Sequence, residues 1–152
     1  MDNPLGKYFS GEDKNTFVEK NITPKNIIKI NAQGTTPHKE KYFLIVNVDK
    51  HNDSVEGFYI NSQITDFAKR RPQILELNLG IKSEAYPFIK KESFIDFSQI
   101  KNEKYSYIYT DLIENPSWVL NPIEAEDLKE IKNRVNKSSL YSPKDKDLIN
   151  KL

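Results

Sequence analysis

The 152-residue sequence contains no cysteine, which excludes a disulfide framework and a thiolate metal site. It has only two histidines, His38 and His51, which argues against a histidine-rich metal site. Its five glycines are scattered, and none falls in the Gly-rich patterns that cradle phosphate groups. The zinc-protease and serine-hydrolase motifs are missing as well. We therefore expect no metal and no cofactor, and any chemistry must come from hydroxyl, lysine and histidine groups.

Long hydrophobic runs are also missing, since no apolar stretch approaches the roughly 18 residues of a membrane span. The first residues, Met1-Asp2-Asn3-Pro4, lack the basic start and apolar stretch of a signal peptide. These features predict a cytoplasmic protein with no membrane contact. No repeat or linker divides the chain, so we expect one domain over 1–152, with an N-terminal extension over 1–24 and helices over 121–152.

The net charge of +1 conceals an uneven distribution along the chain. Residues 69–104 carry 8 basic and 5 acidic side chains, whereas residues 105–130 carry 1 basic and 6 acidic ones. Separated potentials of this kind are typical of a surface that meets a charged partner, although abundant lysine also covers ordinary solvated faces.

Hydrophobic patterning predicts about six short strands followed by two helices. The predicted strands cover residues 26–30, 41–48, 55–61, 74–79, 93–97 and 105–110. The helices start at Asn121-Pro122-Ile123-Glu124, with Asn121 as the N-cap, and at Ser142-Pro143. Strands that precede helices indicate an α+β fold, and we expect a small antiparallel SH3-like β-barrel with two C-terminal helices.

Two polar residues at strand ends are the first candidates for chemistry. Lys41 begins the most apolar predicted strand, and Ser62 follows the end of the next one. Because neighbouring strands of a hairpin are antiparallel, these ends meet at one edge of the sheet. A cation beside a hydroxyl suits phosphodiester cleavage, with His38 as an acid or base. The alternative is that both are ordinary turn residues.

Basic and aromatic residues elsewhere form a second set of candidates, for nucleic-acid binding. Two basic pairs each lie close to a proline, where they would flank a groove and hold phosphates, with an aromatic ring for stacking. The alternative is a set of solvated cations around a core aromatic residue. The candidate residues are Lys39, Arg70, Arg71, Tyr86, Lys90 and Lys91.

Three stretches of the chain resemble the PemK/MazF-like family of small bacterial proteins, which includes growth-inhibiting toxins. The first runs from Pro24 to Val46 and is similar to the family's first strand, long loop and second strand. The second is Phe58-Tyr59-Ile60-Asn61-Ser62, similar to a strand that ends in a small hydroxyl residue. The third runs from Tyr86 to Ile95 and is similar to a His-Pro-Phe-Ile signature of uncharacterised members. Here Tyr86 stands where those relatives have histidine, and lysines stand where the toxins have arginine.

The resemblance implies an SH3-like barrel and a metal-independent RNA endonuclease of a toxin–antitoxin or phage-defence system. Lys41, Ser62 and His38 would then be the catalytic residues. It also implies a homodimer and, besides RNA, a protein antitoxin or other protein partner. The alternative is a catalytically inactive barrel that binds RNA or a protein.

Overall fold

The computed structural model describes residues 11–33 and 39–152. In this part of the chain the strands are β1 (Asn26–Ala32), β2 (Lys39–Asp49), β3 (Ser54–Asn61), β4 (Asn78–Ile81), β5 (Ser93–Asp96), β6 (Lys101–Glu103) and β7 (Val119–Pro122). The helices are α1 (Gly11–Asn21), α2 (Asp66–Lys69), α3 (Pro72–Leu75), α4 (Tyr105–Glu114), α5 (Ala125–Lys137) and α6 (Pro143–Asn150). Two single 3₁₀ turns lie at Lys50–Asn52 and Pro116–Trp118.

The strands form one antiparallel sheet in the order β4-β5-β3-β2-β1-β7, and β6 also pairs with β3. The sheet curls into a half-barrel, which is compatible with a small SH3-like barrel. The predicted α+β class with two C-terminal helices is confirmed. None of the helices within the described residues is long and apolar enough to cross a membrane.

Strand β2 runs through the middle of the sheet and is buried on both faces, as its apolar sequence predicts. Because side chains alternate along a strand, Leu44 and Val46 enter one hydrophobic core while Phe43 and Ile45 enter a second. Apolar residues of α5 and α6 complete the first core, and those of α1 and α4 complete the second. The site described below lies where β2 emerges from between these two cores.

Gly57 of β3 faces β2 at a point where no side chain fits. A Cβ atom at this position would lie 2.2 Å from the backbone oxygen of Leu44 and 2.6 Å from Cζ of Phe43. The irregularity in this pair of strands lies on β2, where the pairing shifts between Ile45 and Asn47. Glycine is therefore required here by close approach of the neighbouring strand.

The prediction of a strand over residues 105–110 is wrong, because this segment begins helix α4. Its alternating tyrosines imitate a strand, but the fully buried positions, Ile108 and Leu112, are four residues apart. Tyr105 and Tyr109 pack beside them as a stacked pair, with ring centroids 6.2 Å apart. The spacing of these four residues is that of one helix face.

Three further element boundaries differ from the sequence prediction. Pro122 belongs to β7, where it pairs with Asn26, so α5 begins after Glu124 and Asn121 is not its N-cap. The predicted strand over 74–79 is divided between α3 and β4. Helix α1 lies in a segment for which the sequence predicts no regular structure. By contrast, α6 begins as predicted, because the Ser142 hydroxyl accepts a hydrogen bond from the Asp145 backbone N–H at 3.1 Å.

Candidate functional site

Lys41 and Asn61 form the centre of the candidate site. The pairing of Tyr42 with Ile60 places Lys41 and Asn61 opposite each other, one residue nearer the sheet edge. The Lys41 ammonium donates a hydrogen bond of 2.8 Å to the Asn61 side-chain oxygen, and it lies 6.0 Å from the centre of the Tyr59 ring. Partial burial, together with the nearby positive charge of Lys39, lowers the pKa of Lys41.

A cavity of about 320 Å³ opens beside this pair at the end of three strands. Its polar residues include an ion pair with 3.2 Å between Lys29 Nζ and Glu40 Oε1. Tyr42 and Ile60 supply the apolar part of the wall. The lining residues are Lys29, Glu40, Lys41, Tyr42, Ile60, Asn61, Ser62 and Ser93.

The structure brings Lys41 and Ser62 to one cavity at the sheet edge, as the hairpin argument predicts. Ser62 lies one residue beyond the end of β3 and is exposed. The ammonium of Lys41, however, is hydrogen-bonded to Asn61. The third predicted catalytic residue, His38, lies outside the described residues. The other histidine, His51, lies in the turn at the far end of β2.

Lys90 and Lys91 lie in the loop that borders the cavity. The Ser93 hydroxyl, on the cavity wall, donates a hydrogen bond of 3.0 Å to the backbone oxygen of Lys91. The Tyr42 hydroxyl similarly donates to the backbone oxygen of Phe88 at 3.2 Å, and their rings meet edge to face at 4.9 Å. Both lysine residues are exposed, and Lys91 reaches the cavity wall through the backbone contact with Ser93.

Tyr86 does not offer the predicted stacking surface, because its side chain is fully buried. Its hydroxyl donates to the Asp127 carboxylate and accepts a hydrogen bond of 2.9 Å from the Glu124 backbone N–H. Burial and the Asp127 carboxylate raise the pKa of Tyr86. The residue joins the loop before β5 to the start of α5, so its role is structural.

Arg70 and Arg71 line a separate groove that shares no lining residue with the Lys41 cavity. The Arg71 guanidinium lies over the Phe67 ring, with its carbon 3.7 Å from the ring centre, and it donates to the Phe67 backbone oxygen at 3.0 Å. The predicted basic set is therefore divided between two sites.

No protein-family model matches this chain, and no curated protein sequence matches it.

Asn61 is the main residue that sequence reasoning did not include in the site. A lysine ammonium can only donate, so the amide oxygen of Asn61 faces Lys41 and its NH₂ group points away from it. The sequence does contain a signal for Asn61, because the register of the predicted hairpin places it opposite Lys41. Ser93 was also missed, since only the three-dimensional pairing of β3 with β5 brings it to the cavity.

The polar groups of the Lys41 cavity are suited to binding an anion. The Lys41 charge is held in place and partly removed from water, which strengthens its attraction for a phosphate oxygen. The Asn61 amide and the Ser62 hydroxyl add neutral donors. Within residues 11–33 and 39–152, no group of three or more histidine, aspartate and glutamate residues is arranged to hold a metal ion.

Proposed function

We propose that this protein is a metal-independent RNA endonuclease of the toxin–antitoxin or phage-defence type, with the Lys41 cavity as its active site. The observation that carries the proposal is the positioned ammonium of Lys41, with its lowered pKa, in a cavity that also contains Ser62. The resemblance of residues 24–46, 58–62 and 86–95 to PemK/MazF-like proteins supports the same reaction class.

In the proposed reaction, the ribose 2′-oxygen attacks the adjacent phosphorus and the bond from phosphorus to the 5′-oxygen breaks. The products are a 2′,3′-cyclic phosphate and a 5′-hydroxyl. Lys41 stabilises the negative charge that develops on the phosphoryl oxygens, and Ser62 donates a hydrogen bond to one of them. A lysine of lowered pKa is also a better proton donor to the departing 5′-oxygen. The 2′-hydroxyl proton needs a base, for which His38 is the candidate.

The basic residues around the cavity would hold the RNA strand on either side of the cleaved bond. Lys39 adjoins Lys41 on β2, and Lys90 and Lys91 lie on the loop beside Ser93. Contacts of this kind bind phosphates without reading the sequence, so the cleavage sequence would depend on other groups.

The test is incubation of the full chain with RNA in the presence of EDTA, followed by analysis of the product ends. We expect cyclic phosphate and 5′-hydroxyl ends with the wild type, and a loss of about a hundredfold or more in rate for Lys41→Ala. Lys129→Ala, which changes an exposed lysine on α5, is the matched control and should cleave normally. Intact RNA at every concentration of wild-type protein would contradict the endonuclease.

A second candidate is an inactive barrel that binds RNA or a protein partner. The observation that favours it is that the described residues of the cavity include no imidazole, the usual acid–base group near neutral pH. Under this proposal RNA binds in EDTA without cleavage, and Lys41→Ala weakens binding while Lys129→Ala does not.

The resemblance also supports a cytoplasmic homodimer that is neutralised by a protein antitoxin. Sedimentation equilibrium tests the first part, because a concentration-independent monomer mass would contradict the homodimer. An adjacent small reading frame whose product binds this chain would support the second part.

A further inference from the structure

An apolar groove lies on the surface around Phe67, away from the Lys41 cavity. It consists of two adjoining cavities, of about 330 and 580 Å³, that share Phe67, Ile74 and Leu140 in their walls. Phe67 is 58% exposed and Leu140 is 50% exposed. We call this surface the Phe67 groove.

Large exposed hydrophobic side chains are few in the described part of the chain, and two of them line this groove. Besides Phe67 and Leu140, they are Leu75, on the same short helix as Ile74, and Tyr107 on α4. Exposed apolar side chains that cluster around a concave surface are typical of an interaction site, whereas isolated ones are common on any protein.

The groove also has a basic end. Lys69, Arg70 and Arg71 are consecutive and exposed, and no carboxylate among the described residues lies within salt-bridge distance of them. The Arg71 guanidinium contacts Phe67 twice, at its ring and at its backbone oxygen. The guanidinium is therefore held in place beside the apolar surface with most of its donors available.

The opposite end of the groove has one charged group among its lining residues. Asp96 lies there, but its Oδ1 accepts hydrogen bonds from both the backbone and the hydroxyl of Ser98, at 3.0 and 2.6 Å. An occupant therefore meets positive charge at one end, apolar side chains in the middle, and the Asp96 carboxylate among neutral polar groups at the other end. Charge complementarity therefore favours acidic groups in the part of the occupant that meets Arg70 and Arg71.

The chemistry of the walls favours a protein over a nucleic acid. Single-stranded nucleic acid needs aromatic faces for base stacking. In this groove Phe67 is the single aromatic residue among the lining residues, and the Arg71 guanidinium already covers one face of its ring. Ile74, Leu140 and Pro72 suit aliphatic or aromatic side chains of a peptide.

We propose that the Phe67 groove binds an acidic segment of a protein partner, which places apolar side chains in the two cavities and carboxylates on Arg70 and Arg71. This inference does not depend on the proposed nuclease activity, because the groove and the Lys41 cavity share no lining residue.

The test is selection of a displayed library of random 16-residue peptides on the full chain. Peptides are retained if they bind the wild type and fail to bind both Phe67→Ser and the double variant Arg70→Glu/Arg71→Glu. We expect the retained peptides to carry net negative charge and at least two large apolar residues. In fluorescence anisotropy each should bind the groove variants at least about tenfold more weakly than the wild type.

The matched control uses another exposed cation–π pair, Lys104 over Tyr107, with 5.3 Å from Nζ to the ring centre. Lys104→Glu/Tyr107→Ala removes the same types of group elsewhere and should bind the peptides as the wild type does. Thermal unfolding of each variant checks that it folds.

Three results would overturn the proposal. One is that no groove-dependent peptide emerges, or that those that emerge are basic or uncharged. Another is groove-dependent self-association in sedimentation equilibrium, which would make a second copy of this chain the occupant. The third is groove-dependent binding of single-stranded RNA.

Discussion

The ammonium of Lys41 donates its hydrogen bond to the side-chain oxygen of Asn61, which fixes the orientation of both groups at the cavity. The Asn61 NH₂ group is thereby turned away from the lysine and remains available as a donor. The two residues thus form a unit in which one carries the charge and the other positions it.

Asn61→Leu should weaken RNA binding or cleavage while the chain remains folded. The substitution keeps the size of the side chain and removes the acceptor of the Lys41 hydrogen bond. Since a hydrogen bond to a charged group contributes about 1.5–3 kcal/mol, we expect a loss of about tenfold or more. Cleavage rates and RNA affinity measured in EDTA check this.

The control for this prediction is Asn136→Leu, which changes an exposed asparagine on α5 that is hydrogen-bonded to Asn150 at 3.0 Å. It should leave RNA binding unchanged. Equal effects of the two substitutions would mean that Asn61 has no role in positioning Lys41.

The lowered pKa of Lys41 has a predictable effect on stability at alkaline pH. Its pKa in the folded state lies below the ordinary 10.5, so between these two values the unfolded chain binds more protons than the folded one. The contribution of Lys41 to the free energy of unfolding therefore increases as the pH rises through this window. Relative to Lys41→Met, the wild type should gain stability from pH 8 to pH 10.5.

Urea denaturation at a series of pH values measures this difference. Comparing the wild type with Lys41→Met cancels the contribution of tyrosine titration to the pH dependence of stability. Several tyrosines have raised pKa values. Lys129→Met is the control and should show no such trend. A flat difference between the wild type and Lys41→Met would show that the pKa of Lys41 is ordinary.

Tyr86→Phe should destabilise the fold and leave RNA binding intact. The hydroxyl is buried and has two partners, the Asp127 carboxylate and the Glu124 N–H, and both lose a hydrogen bond in the variant. We expect a loss of about 1–3 kcal/mol in the free energy of unfolding, measured by urea denaturation.

Tyr107→Phe is the matched control for Tyr86→Phe, because Tyr107 is 46% exposed. It should change stability by less than about 0.5 kcal/mol. If Tyr86→Phe instead weakened RNA binding at unchanged stability, the assignment of Tyr86 as a structural residue would be wrong.

Gly57→Ala should be strongly destabilising, although the change adds a single methyl group. The new Cβ would overlap the Leu44 backbone oxygen, which cannot move without disturbing the pairing of β2 and β3. Overpacking of this kind costs about 1–3 kcal/mol or more.

Gly80→Ala provides the comparison, since the nearest heavy atom to its Cβ would be Phe94 Cε1 at an ordinary 3.6 Å. Thermal and urea unfolding of both variants should separate them clearly. Similar stabilities would contradict the close approach at Gly57.

Local patterns predicted those parts of the fold in which one period dominates. The continuous apolar run of β2, the return strand of its hairpin, β3, and the Ser142 cap of α6 are all strong local signals. The strand prediction for Tyr105 to Thr110 is wrong because every second residue is aromatic, which masks the helical spacing of Ile108 and Leu112. The predicted start of α5 is wrong because Asn121 and Pro122 fit the local pattern of a helix N-terminus. Pairing with β1 instead places Pro122 in β7.

The candidate site was predictable only as far as adjacent strands determine it. The hairpin register brings Lys41 next to Asn61 and Ser62, and this can be argued from sequence. The position of Tyr86 depends on its contact with α5, and the position of Arg71 depends on its own side chain folding over Phe67. Neither contact has a signature in the sequence, and for this reason the sequence places Tyr86 and Arg71 on a predicted RNA-binding surface.

Because β2 is buried on both faces, we expect the two cores to unfold cooperatively. Phe43 and Ile45 cannot lose the cover of α1 and α4 without disturbing the same strand that holds Leu44 and Val46 against α5 and α6. Loosening of either core is therefore transmitted to the other through one backbone. The central amides of β2 should exchange with solvent only when the whole domain opens, and the ammonium of Lys41 is attached to this most persistent part of the chain.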